Sequence, residues 1–136
     1  MRVDLVFEGG GVLGISFVGS YRALVNRGFK VVRCAGTSAG AVISSLIIAG
    51  YSADELYEIL LKTDFTQFLH KTNLSKTILF GKVLSLLFKK GIYNSYSIEK
   101  WIANLLAQKG IETFGDIMVN NESPLKIIVA DITNRK

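Results

Sequence analysis

Ser38 stands between Gly36 and Gly40 in a G-T-S-A-G motif. An apolar, β-branched run over residues 30–35 precedes the motif, and an apolar run over residues 41–49 follows it. A strand, a glycine-flanked serine and a helix form a nucleophile elbow, which holds the serine hydroxyl above a sheet edge. The sharp turn leaves no room for a Cβ at either glycine, and the helix N-terminus favours an oxyanion. The sequence therefore predicts that Ser38 is a nucleophile.

A second glycine-rich segment follows the first predicted strand, which covers residues 3–8. It contains Gly9, Gly10, Gly11 and Gly14, and a helical spacing of apolar residues comes after it. A tetrahedral acyl intermediate needs backbone N–H donors, and glycine lets the backbone approach closely. Because neighbouring parallel strands end at the same sheet edge, this loop is expected beside the elbow serine. Its N–H groups would then form an oxyanion hole.

Two other interpretations of these glycines stay open. Both segments are compatible with tight turns that have no chemical role. A G-x-G-x-x-G pattern after a strand is also the dinucleotide-binding fingerprint, which requires an acidic residue at the end of the second strand. That neighbourhood holds no carboxylate, although Arg33 suits a 2′-phosphate. The nucleotide interpretation is therefore the less favoured, and no cofactor is predicted.

His70 is the only histidine in the sequence. With Ser38 and either Asp54 or Asp64 it matches the chain order of an α/β-hydrolase triad. That fold places its histidine after further strands, and none is predicted between the elbow and the histidine, so a surface histidine is favoured. One histidine and one cysteine, Cys34, make no metal-ligand cluster. No metal is predicted, and Cys34 is expected to be a buried, inert thiol.

The two glycine-rich motifs together resemble the patatin-like phospholipases. The resemblance is strongest in residues 8–14 and 35–41. It extends more weakly through three later segments, residues 91–95, 113–117 and 127–131. The resemblance implies a lipid acyl hydrolase of phospholipase A or esterase type, with a Ser–Asp dyad and no histidine. It also implies that Ser38 is the nucleophile and that the glycine loop is the oxyanion hole.

The sequence departs from that family's pattern at two points. The family usually carries Arg or Lys before the last loop glycine, where this chain has Leu13. The family's dyad aspartate lies in a downstream Asp-Gly motif, and this chain contains no Asp-Gly pair. Residues 1–136 are therefore interpreted as the N-terminal part of a single patatin-like domain, truncated before the dyad aspartate. Asp131 is a less favoured substitute, and a catalytically incompetent domain that binds lipid or a partner is the alternative.

The predicted elements alternate between strand and helix, which favours an α/β fold with a mainly parallel sheet. The family resemblance implies three layers, α/β/α. Ser52 and Glu55 form a capping box that opens one helix. Apolar residues spaced around Trp101 predict another helix. The last predicted strand, residues 125–132, is apolar enough to lie centrally and be covered on both faces.

Residues 65–88 combine large apolar side chains with scattered lysines. Core helices are the favoured interpretation of this segment. A basic amphipathic helix that docks on a membrane or covers a lipid site as a lid is the alternative.

The composition limits the class of protein and its partners. The chain has 136 residues, 49% hydrophobic, with one cysteine and a formal net charge of +5. These values fit one domain or part of one and exclude a disordered chain. A cytoplasmic location is expected, with peripheral membrane contact as a further expectation. The expected partner is a lipid or acyl ester, no nucleic-acid surface is indicated, and the oligomeric state stays open.

Overall fold

The computed structural model describes residues 1–68, 95–131 and 133. Along this part of the chain the main elements are β1 (Arg2–Phe7), α1 (Ile15–Asn26), β2 (Lys30–Gly36), α2 (Ala39–Ile48), α3 (Ala53–Lys62), α4 (Ser95–Gln108) and β3 (Leu125–Ile127). Their contacts divide the chain into two compact units. The larger unit consists of the described residues of Met1–Lys62 and Leu105–Lys136, and the smaller of those of Thr63–Asn104.

The larger unit is built on a parallel sheet with strand order β1-β2-β3. In its register Phe7 lies opposite Gly36, and Gly36 lies opposite Ile127. The carboxyl ends of the three strands therefore meet at one edge. This arrangement confirms the predicted α/β fold with a parallel sheet.

The core of the larger unit lies between the sheet and its helices. Helix α2 packs across all three strands, and α3 packs on α1. The most deeply buried side chains are Ser44 and Leu46 of α2, Leu56 of α3 and Cys34 of β2. On the other face of the sheet, Arg2, Asp4, Val6, Arg33 and Lys126 are exposed.

The last strand differs from its prediction. β3 is only Leu125–Ile127 long, and within the described residues it forms an edge of the sheet. Leu125 is buried, but Lys126 is exposed, so this strand is not covered on both faces. After Ile127 one further bond, from the Ile128 N–H to the Gly36 carbonyl at 3.0 Å, continues the pairing. β2 ends at Gly36, where the chain turns into the elbow, and therefore offers no further backbone partners to residues 129–131.

The predicted capping box is present at the start of α3. The Glu55 N–H donates to Ser52 Oγ at 3.2 Å, and the Ser52 N–H donates to Glu55 Oε2 at 2.7 Å. Lys109 Nζ also donates to Glu55 Oε1 at 2.8 Å. The Lys109 bond and the Ser52 bonds lower the pKa of Glu55 to about 2. Glu55 therefore links the cap of α3 to the chain just beyond α4.

We expect this carboxylate to make folding stability acid-sensitive. Because the pKa of Glu55 is lower in the folded state, its contribution is complete above the unfolded pKa of about 4.3 and is lost as the pH falls toward 2. In Glu55→Gln the cap can form without the charge. Thermal unfolding at low salt is expected to show a larger acid-induced fall in Tm for the wild type than for the variant. Parallel Tm curves between pH 5 and pH 2 would contradict this assignment.

The smaller unit contains an aromatic cluster. Phe65 and Phe68, in a short 3₁₀ helix, pack their rings against Trp101 with centroid distances of 6.5 Å and 5.5 Å. Phe68 is buried and Trp101 is half-buried. The remainder of the proposed lid or core segment, together with His70, lies outside the described residues.

Candidate active site

Ser38 occupies a strained turn at the carboxyl edge of the sheet. Its backbone has φ 51° and ψ −125°, although it is not a glycine. Non-glycine residues in such conformations cost of order 1–3 kcal/mol and cluster at functional sites. Ser38 is the N-cap residue of α2, yet its hydroxyl makes no capping bond, and the residue is exposed. The hydroxyl therefore has no hydrogen-bond partner among the described residues.

The two glycines that flank the turn have no space for a side chain. A methyl group on Gly36 would overlap the backbone of Gly40. A methyl group on Gly40 would lie 2.5 Å from the carbonyl oxygens of both Phe7 and Glu8. The elbow is therefore closely packed against the end of β1, and only glycine fits at these two positions.

The glycine loop lies directly beside Ser38. A methyl group on Gly9 would lie 3.3 Å from the Ser38 Cβ. A methyl group on Gly14 would lie 3.0 Å from the Ala39 Cβ. Gly11 has φ +52°, a conformation that glycine adopts without strain. The structure thus places Gly9 next to Ser38 and Gly14 next to Ala39, and Gly10 and Gly11 lie between these two contacts in the loop.

Several backbone N–H groups at this edge have no acceptor among the described residues and are free to donate to a ligand. Those of Gly9 and Gly10 find no acceptor among the described residues, whereas the Leu13 N–H donates to the Gly10 carbonyl at 3.0 Å. The N–H of Ala39 is likewise unpaired there, because the first amides of a helix have no partner within it. Sequence reasoning did not single out Ala39. Its position directly after the candidate nucleophile was the available signal, since that residue commonly supplies an oxyanion donor.

A cavity of about 610 Å³ opens at the same edge. Its lining comes from the carboxyl ends of β1 and β2, together with the residue that follows each strand. Two residues of α1 and one residue after β3 complete it. The lining residues are Val6, Phe7, Glu8, Phe17, Ser20, Ala35, Gly36, Thr37 and Ile128. Most of this lining is apolar, and Thr37 connects it to Ser38. The cavity therefore offers space for an apolar group next to the serine.

The other candidate residues are engaged elsewhere. Arg33 donates to Asp4 through Nε at 3.0 Å, and this bond lowers the pKa of Asp4. Asp54 pairs with Arg22 at 2.9 Å. Cys34 is buried, as predicted, and burial raises the pKa of its thiol to about 12. Asp131 is exposed and accepts a hydrogen bond from the Thr133 N–H at 2.9 Å.

The sequence profile of the patatin-like phospholipase family matches residues 5–133. The chain belongs to this family. A relative in Bacillus subtilis (strain 168), the uncharacterized protein YqhO, is 39% identical over 98% of this chain and 45% of its own length. An uncharacterized protein of Acanthamoeba polyphaga mimivirus is 25% identical over 78% of this chain and 34% of its own length. This patatin-like chain thus spans less than half the length of either curated relative.

A solved structure supports the patatin-like fold. The type III effector protein ExoU matches with a TM-score of 0.55 and 23% identity, covering 90% of this chain and 26% of that protein. The family match and this solved structure agree on a patatin-like fold for the chain. In the part of the chain that the structure describes, no helix is long and apolar enough to cross a bilayer.

Proposed function

We propose that this chain carries the nucleophile and the oxyanion hole of a lipid acyl hydrolase. The observation that supports the proposal most strongly is the exposed, strained Ser38 with Gly9 packed against its side chain. A structural serine at a helix N-cap normally bonds the first turn, and Ser38 does not. An exposed hydroxyl at a strained turn is the arrangement of a nucleophile elbow.

In the proposed reaction Ser38 Oγ attacks the carbonyl carbon of an acyl ester. The hydroxyl proton leaves to a general base, and the carbonyl oxygen becomes an oxyanion. The N–H groups of Gly9, Gly10 and Ala39 are the candidate donors to that oxygen. Collapse of the intermediate expels the alcohol and leaves an acyl-serine, which water then hydrolyses. Loss of one such donor costs about 2.7–4 kcal/mol of barrier in comparable sites.

The general base is the incomplete part of this site. The family's dyad aspartate lies in an Asp-Gly motif, and residues 1–136 contain no Asp-Gly pair. We therefore assign the base to an aspartate outside this sequence. Asp131 is the less favoured candidate within it, because it follows the short strand β3 and bonds its own turn.

The acyl chain is proposed to occupy the cavity beside Thr37. Its lining combines Val6 and Ile128 from the sheet side with Phe17 from α1. Apolar lining with few polar groups is typical of sites for apolar ligands. A bound chain there would start next to Ser38, as the reaction requires.

The function is tested on the intact protein, which includes the aspartate assigned as the base, by hydrolysis of p-nitrophenyl esters of increasing acyl length. We expect rates that saturate with substrate and increase with chain length until the cavity is filled. Rates equal to uncatalysed hydrolysis at every chain length, from protein shown to be folded by circular dichroism, would contradict the proposal for this chain.

A second candidate is a catalytically incompetent domain that binds lipid, and the missing Asp-Gly pair favours it. Such a domain would bind long-chain esters without turnover and would not react with a fluorophosphonate. Equilibrium binding measured together with that reaction separates the two functions.

Gly9→Ala should crowd the nucleophile. The new methyl group would lie 3.3 Å from the Ser38 Cβ, which is closer than an ordinary contact, so the serine must shift. A misplacement of about 1 Å costs up to about 100-fold in rate, and the shift of a few tenths of an ångström needed here costs less. We expect kcat/KM on p-nitrophenyl butyrate to fall by about 10-fold or more, with a Tm change of only a few degrees. Unchanged kinetics would argue against a reaction centre between Gly9 and Ser38.

A further inference from the structure

A second cavity, of about 460 Å³, lies at the amino edge of the sheet. The start of β2, residues 30–32, forms one side of it, and Val25 of α1 and Ile48 of α2 contribute to the rest. Helix α2 begins just after Ser38 and ends at Ile48. Because an α-helix rises 1.5 Å per residue, this cavity lies about 15 Å from the elbow. It is named the amino-edge cavity.

The amino-edge cavity exists because β3 begins late. The first residue of β3, Leu125, lies opposite Cys34, so among the described residues the first half of β2 pairs only with β1. Val119 and Pro124, which precede β3, line the resulting gap. The Cys34 N–H donates to the Pro124 carbonyl at 2.8 Å, and two backbone bonds of 2.9 Å and 3.0 Å join Val119 to Glu122. These bonds fix the wall that faces the start of β2.

The lining of the amino-edge cavity is apolar except for one cation. Lys30 is its only charged residue, and its only other polar side chain, Tyr21, donates to the Tyr51 carbonyl at 3.5 Å. Lys30 is exposed, and its ammonium group forms no ion pair within the part of the chain that the structure describes. Two exposed arginines add positive charge at this edge: Arg2, opposite Lys30 on β1, and Arg27, at the end of α1. The cavity therefore combines apolar walls with an unpaired positive charge.

The carboxylates that lie nearest to this lining in the sequence interact with other groups. Asp116 accepts hydrogen bonds from two backbone N–H groups of its own turn, at 2.9 Å and 2.7 Å. Asp4 and, more weakly, Glu122 raise the pKa of Arg33. Neither Asp116 nor Glu122 pairs with Lys30 in the described residues. The charge of Lys30 is thus available to an anion.

We propose that the amino-edge cavity is a binding site for a fatty acid. The alkyl chain would lie against the apolar walls, because its burial removes apolar surface from water. The carboxylate would accept a charge-assisted hydrogen bond from the ammonium group of Lys30. The cavity volume lies in the range of sites for small ligands. This site is separate from Ser38, and it does not depend on the proposed hydrolase function.

The site is tested by isothermal titration calorimetry of the intact protein with decanoate. Decyltrimethylammonium, which carries an alkyl chain of the same length and the opposite charge, is the matched ligand. We expect saturable binding of decanoate. We expect the cation to bind at least about tenfold more weakly, because attraction to Lys30 is replaced by repulsion.

Two substitutions change the lining without touching the core. Lys30→Met removes the charge but keeps an unbranched side chain, and we expect it to weaken decanoate binding by about fivefold. Val119→Asp places a carboxylate in the lining, and we expect it to weaken decanoate binding by at least about tenfold. Both residues are exposed, so both variants should keep the wild-type circular dichroism spectrum.

Lys126→Met is the matched control. Lys126 is an exposed lysine of β3 in the same sheet, and it does not line the amino-edge cavity. The variant therefore has the same net charge as Lys30→Met. We expect it to bind decanoate with the wild-type affinity.

The outcomes separate this site from the reaction at Ser38. Lys30→Met should hydrolyse p-nitrophenyl butyrate at the wild-type rate, because Lys30 lies at the other end of β2. Decanoate binding that depends on Lys30 in a protein without esterase activity would support the site and refute only the hydrolase. Unchanged affinity in Lys30→Met would locate the ligand elsewhere and overturn the proposal. No decanoate binding, equal binding of the cation, or an equal loss in Lys126→Met would also overturn it.

Discussion

In the intact protein, Ser38→Ala is expected to lower hydrolysis of p-nitrophenyl butyrate by at least about 10⁴-fold, to the residual rate that the N–H donors and substrate binding supply. The variant lacks the hydroxyl that attacks the ester, while every N–H donor of the site remains. Alanine is as strained as serine at φ 51°, so the folding stability should stay within about 0.5 kcal/mol. Initial rates and thermal unfolding measure the two effects separately.

Ser45→Ala is the control for this substitution. Ser45 lies in the same helix, α2, and its hydroxyl donates to the Ala41 carbonyl at 2.8 Å. We expect this variant to keep its activity, because the bond is local to the helix and away from the turn. Activity of Ser38→Ala within tenfold of the wild type would show that another group performs the attack.

Gly40→Ala is expected to destabilise the fold strongly. Its methyl group would lie 2.5 Å from two carbonyl oxygens at the end of β1, and these atoms belong to backbone that cannot rotate away. Separating α2 from β1 to accommodate the methyl group should cost about 2–3 kcal/mol, which lowers the Tm by roughly 10 °C. Differential scanning calorimetry measures this change.

Gly19→Ala is the control, because it is expected to raise the folding stability where Gly40→Ala lowers it. Gly19 lies in α1, and a methyl group there would meet nothing within 4 Å. Alanine in an unobstructed helix interior stabilises by about 0.5–1 kcal/mol, so the Tm should rise. If both variants lowered the Tm equally, the close packing of the elbow against β1 would be refuted.

The elements that form the site could be predicted because local residue types determine them. Glycines on both sides of Ser38 specify a turn that no other residue fits, and Ser52 with Glu55 specifies a helix start. The carboxyl-edge placement of the two loops followed from the parallel order of the strands. These features depend on residues that are adjacent in the sequence and on the rule that the connection between two parallel strands is right-handed.

Other features depend on contacts that the sequence does not show. The length of β3 is set by where β2 turns away from it, so the apolar run over residues 125–132 overstated the strand. The exposure of Leu13 follows from how the glycine loop packs. An apolar residue such as Leu13 is compatible with either a core or a surface position, and only the tertiary structure distinguishes them.

The central claim is that Ser38 is the reactive nucleophile of this chain. Its most direct test is mass spectrometry of the protein after treatment with an alkyl fluorophosphonate, followed by peptide mapping. We predict a single phosphonyl adduct, located on Ser38, that is absent from Ser38→Ala and present in Ser45→Ala. A folded protein that forms no adduct, or that forms it on another serine while Ser38 stays unmodified, would contradict the claim.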